Sequence, residues 1–335
     1  MAKTVNEAFA EFTRDVVNLD PDTVAEARQS RDNLLDNIKE FDGDSDFFKL
    51  YWDKRIQFGS FGRGTKCRPL DDIDYMVCLM ANGCTYDAGS RWDDIPIYTG
   101  GTEDERLLSC VGDEGGNQLN STKVINRFVK KLTGVREYHR SEVHKNGQAA
   151  VLNLVSKEWS FDIVPCFYTT TEANGRNYYL IPNGKGNWMK TDPAIDRNKI
   201  ESEDARLDRR LRLLIRMMKR WNRIKKIPSL ESYALETLVV HKCQNKTELC
   251  EWPDLMFKRF LGDYAEAICC RIDDIKGIQG DLNTLDGQQR SACRARALQD
   301  KDKADEAWEY ERKENYETAI NLWREVFGEE FPKYG

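Results

Sequence analysis

The chain has 335 residues, enough for about two domains at the usual size of roughly 150 residues each. Its net charge is -6 with 32% charged residues, which excludes the strongly basic surface of a dedicated nucleic-acid binder, so any basic site must be local. No apolar run of about 18 residues occurs and the opening MAKTVNEAFAEF lacks a signal-like apolar segment, so a soluble, cytoplasmic protein with no membrane partner is expected.

Asp20-Pro21 starts the first long helix, with Asp as N-cap and Pro at the first position; Val24, Ala27, Leu34, Leu35 and Ile38 carry its apolar pattern to the break at Gly43. Arg55 to Met80 reads as strand, Gly-rich turn and strand, and Gly83 to Gly116 as a turn-rich acidic insertion. A short amphipathic helix follows from Thr122 to Leu132. The apolar runs AAVLNLV (149–155) and WSFDIVPCF (159–167) predict a β-hairpin. The stretch NGRNYYLIPNGKGNWMKTDP, starting at Asn174, reads as loop, and from Leu207 onward nearly everything reads as helix. Lys301 to Val326 is expected to be one docked surface helix, with Trp308, Tyr316, Ile320 and Trp323 roughly along one face, ending in the short tail FGEEFPKYG, whose last residues, PKYG, read as flexible. The ten cysteines, several inside apolar segments, read as reduced core residues rather than a disulfide framework. His241, Cys243, Cys250, Cys269 and Cys270 match no CxxC or helical HxxxH metal spacing.

The chemistry is concentrated in FGSFGRGTKCRPLDDIDYMV, residues 58–77. Gly59 and Gly64 imitate a Walker loop, but the next pair is Thr65-Lys66, in the wrong order, and the glycines at 59, 62 and 64 miss the GxGxxG spacing. Asp72 and Asp74 are two apart on a strand and so project from one face. Adjacent carboxylates repel, and a divalent cation held by hard oxygen ligands relieves that repulsion. Asp162 lies among apolar residues, where a carboxylate needs a partner, and is a candidate third ligand. Three carboxylates around two ions, Mg2+ or Mn2+, suit in-line phosphoryl transfer. The alternative is that Asp71, Asp72 and Asp74 cap a turn and decorate an edge strand while Asp162 faces solvent. The backbone N–H groups of the Gly59-Ser60 turn and the Ser60 hydroxyl can approach a triphosphate.

This order, a Gly-Ser turn, a spacer, two acids separated by one apolar residue and a third acid on a later strand, resembles the signature of the polymerase-beta-like nucleotidyltransferases. Gly59, Ser60, Asp72, Asp74 and Asp162 fill its slots. In LDRRLRLLIRMMKRWNRIKK, Leu207, Leu211, Leu214, Ile215, Met218 and Trp221 form an apolar stripe. Arg212, Arg216, Lys219 and Arg223 form a basic row that is either a phosphate clamp or a solvated face. The segment LIRMMKRWNRIKKIPSLESYALETLVV (214–240) is similar to the corresponding part of oligoadenylate synthases and cyclic GMP-AMP synthase. That similarity implies a triphosphate contact for Lys219, a phosphate contact for Ser232 and stacking of the donor base on Tyr233, with a core aromatic as the alternative for Tyr233.

Over essentially its full length the chain resembles the bacterial CD-NTases, the cyclic-oligonucleotide synthases of CBASS anti-phage systems. The GNWMKTDP loop is similar to that family's and implies that Trp188, Lys190 and Asp192 line the nucleotide cleft, unless Trp188 merely anchors the loop. The resemblance implies an α+β, bilobed polymerase-beta-like nucleotidyltransferase, with residues 1–205 forming a mixed-sheet palm with N-terminal helices and 206–335 a helical lobe. It implies template-independent joining of ATP and/or GTP into a cyclic oligonucleotide, with a guanine-containing purine cyclic dinucleotide as the leading product, read by a downstream effector. It also implies a ubiquitin-ligation-like partner that conjugates the C-terminal Gly335. No His and Cys cluster between Asp162 and Leu207 corresponds to the animal enzyme's zinc-binding insertion, so activation by DNA through that device is not expected. The alternatives are a linear oligonucleotide or tRNA-end nucleotidyltransferase and a catalytically silent nucleotide- or nucleic-acid-binding regulator.

Overall fold

The computed structural model describes residues 2–112, 116–224 and 228–335. Residues 113–115 of the turn-rich segment and Lys225, Lys226 and Ile227 of the quoted helical segment lie outside the described residues. The chain forms two compact units that interleave along the sequence. One holds residues 24–62 and 70–195; the other holds 1–23, 63–69 and 196–335. No single boundary at 205/206 separates them, because α1 (Val5–Phe12) and the segment 63–69 belong with the C-terminal helices.

The first unit is built on a seven-stranded mixed sheet. Its strands are β1 (Ile56–Gln57), β2 (Asp72–Leu79), β5 (Glu142–Asn146), β6 (Ala149–Asn153), β7 (Ser160–Tyr168), β8 (Tyr179–Pro182) and β9 (Trp188–Thr191), and a separate pair is formed by β3 (Thr85–Tyr86) and β4 (Ile97–Tyr98). The order is β1-β2-β7-β6-β5, with β8 on β7 and β9 on β8; only β2 and β7 run parallel. The expected hairpin is present as β6 and β7. The segment read as loop from Asn174 contains β8 and β9. Its YYLI and NWM runs are short and set among glycines and asparagines, which hides two nearly local antiparallel pairings, β8 on β7 and β9 on β8. In this unit α4 (Glu105–Leu108) is a short helix that buries Leu107, and α2 (Pro21–Glu40) buries Ala27, Leu34 and Ile38 while α5 (Ser121–Thr133) buries Val124, Ile125, Phe128 and Leu132, in line with their spacing.

The second unit is helical, with α6 (Pro193–Arg206), α7 (Leu211–Ile224), α8 (Ser232–Cys243), α9 (Pro253–Ala267), α10 (Gly287–Glu311) and α11 (Tyr316–Phe327). Leu211, Leu214, Ile215, Met218 and Trp221 of α7 are buried, as the stripe predicts. They join Phe9 and Phe12 of α1 and Trp323 and Phe327 of α11 in one core. The tail is two helices rather than one: the chain breaks at Arg312 to Asn315, with Glu314 at φ +59°, and the Asn315 side chain caps α11 by accepting from the Thr318 N–H at 3.2 Å. Among the described residues no helix is long and apolar enough to cross a membrane.

Candidate active site

β2 and β7 begin with alternating burial: Ile73, Tyr75, Phe161 and Ile163 are buried while Asp72, Asp74 and Asp162 are half-buried. From Met76 to Leu79 and from Val164 to Phe167 both strands are buried on both faces. The parallel register pairs Asp72 with Ser160 and Asp74 with Asp162. Asp74 and Asp162 are therefore direct neighbours on one sheet face, with Asp72 two residues along it. The Ser160 N–H donates to the Asp71 carbonyl at 3.0 Å and continues the ladder past the acids.

The short helix α3 (Gly59–Arg63) begins against this face. The Phe58 N–H donates to the Asp74 carbonyl at 3.3 Å. Gly59 has φ +65°, and a Cβ there would fall 1.7 Å from Asp74 Oδ2. The Asp74 carboxylate thus rests on bare glycine backbone, a space that any side chain would fill. Ser60 follows, half-buried, as the second residue of α3. No group of three or more His, Cys, Asp or Glu among the described residues is already gathered as a metal cage. The donor set of Asp72, Asp74 and Asp162 is nonetheless all carboxylate and on one face, with the Asp74 carboxylate seated on the bare backbone of Gly59, and it fits a hard divalent cation.

In the helical unit the central residue is one the sequence reading missed. Glu236 of α8, 1% exposed, accepts from Arg63 Nε at 3.0 Å, Thr65 Oγ1 at 2.8 Å and Lys219 Nζ at 2.8 Å. Burial works against the Glu236 carboxylate, but Arg63 and Lys219 outweigh it and hold its pKa below the ordinary range. A local signal existed, since an acid within ALETLVV, flanked by apolar residues on both sides, has to be buried with a partner.

Lys219 is 2% exposed and also donates to the Thr65 carbonyl at 3.2 Å. The expected basic row is therefore largely committed to protein acceptors. Arg212 binds Asp204, Glu201 and the Arg63 carbonyl, and Arg216 binds Asn18 Oδ1 at 2.9 Å and the Gly64 carbonyl at 2.6 Å. Ser232 is exposed at the start of α8, and the half-buried Tyr233 donates its hydroxyl to Asp274 Oδ1 at 2.7 Å.

Two expectations are corrected. Trp188 is fully buried, meets Phe167 edge to face at 5.0 Å and donates Nε1–H to the Leu119 carbonyl at 3.1 Å, so it anchors its strand and presents no surface to a nucleotide. The C-terminal tail is docked rather than flexible. Phe331 is buried in the aromatic cluster, Ala2 bridges to Tyr334, and the Gly335 N–H donates to the Ala2 carbonyl at 3.2 Å.

No family model matches the sequence. CdnC of E. coli MS115-1, solved with ATP, superposes with a TM-score of 0.70 at 16% identity, covering 99% of this chain and 100% of that one. The Vibrio cholerae DncV cyclic AMP-GMP synthase superposes with a TM-score of 0.58 at 13% identity, over 84% of this chain and 70% of that one. The fold is thus the mixed α+β fold of these nucleotidyltransferases, and the paired strands carry three carboxylates on one face. A probable cyclic nucleotide synthase of Bacillus cereus (strain VD146) is 40% identical over 342 residues, covering 100% of this chain and 99% of that protein. The chain belongs to that family, the CD-NTase cyclic nucleotide synthases.

Proposed function

We propose that this protein joins nucleoside triphosphates, without a template, into a cyclic oligonucleotide, and that the register pairing of Asp74 with Asp162 against Gly59 is the centre of its chemistry. Asp72, Asp74 and Asp162 would hold two divalent ions, Mg2+ or Mn2+. Such ions lower the pKa of an attacking hydroxyl and neutralise charge on a leaving pyrophosphate.

The chain's own groups do the rest. Asp162 accepts the proton of a ribose hydroxyl as its oxygen forms a bond to the α-phosphorus of a second nucleotide; the bond from that phosphorus to the bridging oxygen breaks and pyrophosphate leaves. The Ser60 and Ser232 hydroxyls hold phosphate oxygens, and Tyr233 stacks on the base. A second transfer within the linear product closes the ring. Lys219 is assigned to structure in this scheme, since a triphosphate could reach it only by drawing it off Glu236 and leaving a buried carboxylate short of a cation.

ATP and GTP are the proposed substrates, with a guanine-containing purine cyclic dinucleotide as product. This is supported by the cyclic AMP-GMP synthase among the fold relatives and by its GTP-bound form. The product would signal to an effector in anti-phage defence. Conjugation of Gly335 by a ubiquitin-ligation-like partner would first require the tail to leave Ala2.

The test is incubation with labelled NTPs, singly and mixed, with Mg2+ or Mn2+, followed by phosphatase and mass analysis. A phosphatase-resistant product of cyclic mass that is absent in Asp72→Asn/Asp74→Asn is expected. Only linear products would replace ring closure with simple polymerisation, and no metal-dependent product would overturn the proposal.

A further inference from the structure

The chain between α9 and α10 has no part in the scheme above, yet it closes on Tyr233. Asp274 and Lys276 there are each 7% exposed. Asp274 Oδ1 accepts from the Tyr233 hydroxyl at 2.7 Å and from the Lys276 N–H at 3.2 Å; its Oδ2 accepts from the N–H groups of Ile278 at 3.1 Å and Gln279 at 3.0 Å. Lys276 Nζ lies 3.8 Å from the centroid of the Tyr233 ring, and the Arg63 guanidinium lies 5.6 Å from it. Burial opposes the charge on Asp274, but Lys276 and these hydrogen bonds outweigh it and keep the carboxylate ionised.

We propose that Asp274 and Lys276 are positioning residues for nucleobase binding: Asp274 fixes the Tyr233 phenol and Lys276 packs on its ring, so that the aromatic surface is already oriented when a base arrives. The proposal rests on the reading of Tyr233 as the base-stacking residue. Its physical content is preorganisation. An exposed tyrosine turns about two side-chain bonds and loses that freedom on stacking, whereas a ring held at its hydroxyl and on its face has lost it already. Donation of the phenol proton to a carboxylate also enriches the ring's π system, which strengthens the attraction of Lys276 and tightens the arrangement further. Tyr233 as a whole is half-buried and not sealed in the core.

The test is equilibrium binding of α,β-methylene ATP and α,β-methylene GTP, which bind without transfer, to the full chain with Mg2+. Thermal melting is read in parallel. Lys276→Met and Asp274→Asn are expected to raise Kd about tenfold, the size of a lost aromatic-cation contact or ordered ring. Lys276→Arg, which keeps a cation on the ring, should restore most of the affinity, and Lys276→Met should add nothing in a Tyr233→Ala background. A purely structural loop would instead lower the melting temperature and leave Kd unchanged. If Tyr233→Ala weakens binding while Lys276→Met and Asp274→Asn bind as wild type, or if Lys276→Met weakens binding equally without Tyr233, this proposal is overturned and the reading of Tyr233 stands. If Tyr233→Ala leaves Kd unchanged, both fall.

Discussion

At the residue scale, Gly59 matters more than its place in a false Walker pattern suggests. Its left-handed φ of +65° costs a non-glycine residue about 1–2 kcal/mol. The larger effect is steric, because an added Cβ would meet Asp74 Oδ2 at 1.7 Å and turn the carboxylate away from its partner Asp162. Gly59→Ala is therefore expected to lower the melting temperature by a few degrees while reducing turnover by about a hundredfold or more, as misplacement of a reacting group by about 1 Å does. Calorimetry and product formation, measured side by side, check this. Turnover that falls only in step with stability would mean that the contact with Asp74 is incidental. The carboxylates themselves were legible in the sequence, since alternation along a strand is a local rule and DxD obeys it whatever the rest of the chain does.

At the element scale, the network around Glu236 shows what helical spacing leaves open about the basic row on α7. Helical spacing states which residues share a face but not what that face meets. Lys219 meets an acid on α8, and Arg63 reaches the same acid from 173 residues away in sequence. Glu236→Gln leaves Lys219 buried with its carboxylate gone and Arg63 with only Asp196 at 3.4 Å, so a loss of about 3–5 kcal/mol is expected, or roughly 10 °C in melting temperature. Lys219→Met should cost less, because Arg63 still faces Glu236. Equal melting temperatures for Glu236→Gln and wild type, by thermal or urea unfolding, would refute the network's structural role. The split of the C-terminal helix has a similar origin: Trp308, Tyr316, Ile320 and Trp323 suggested one face, but residues 312–315 turn the chain so that α11 packs back on α10.

For the whole molecule, stability against pH has an unusual contributor. Burial first, then the neighbouring Asp254 carboxylate, raise the Glu311 pKa from its ordinary value of 4.5 to about 7, against the opposing pull of Lys258. A carboxyl whose folded pKa lies above its unfolded one favours the fold fully below pH 4.5 and loses that contribution as pH rises towards about 7. Glu311→Gln should remove this term, so that its advantage over wild type grows between those limits and levels off above them. Urea unfolding at intervals across the range checks the sign; a constant difference would show that Glu311 titrates normally. Asp254, itself raised by burial, adds to the same trend.

By itself the sequence determined that Asp72 and Asp74 share one strand face, that a hairpin carries Asp162 and that α7 has an apolar stripe. Each is written in residues that are neighbours along one element, where the periods of strand and helix convert spacing directly into direction. Only the tertiary structure decided that Asp74 stands level with Asp162, that Lys219 is buried against Glu236, that Trp188 is core and that the C-terminus is held by Ala2. Those facts depend on register, burial and the meeting of distant segments. Apolar neighbours in sequence can mark a charged side chain as buried, as around Glu236, but not which substrate or distant residue it meets.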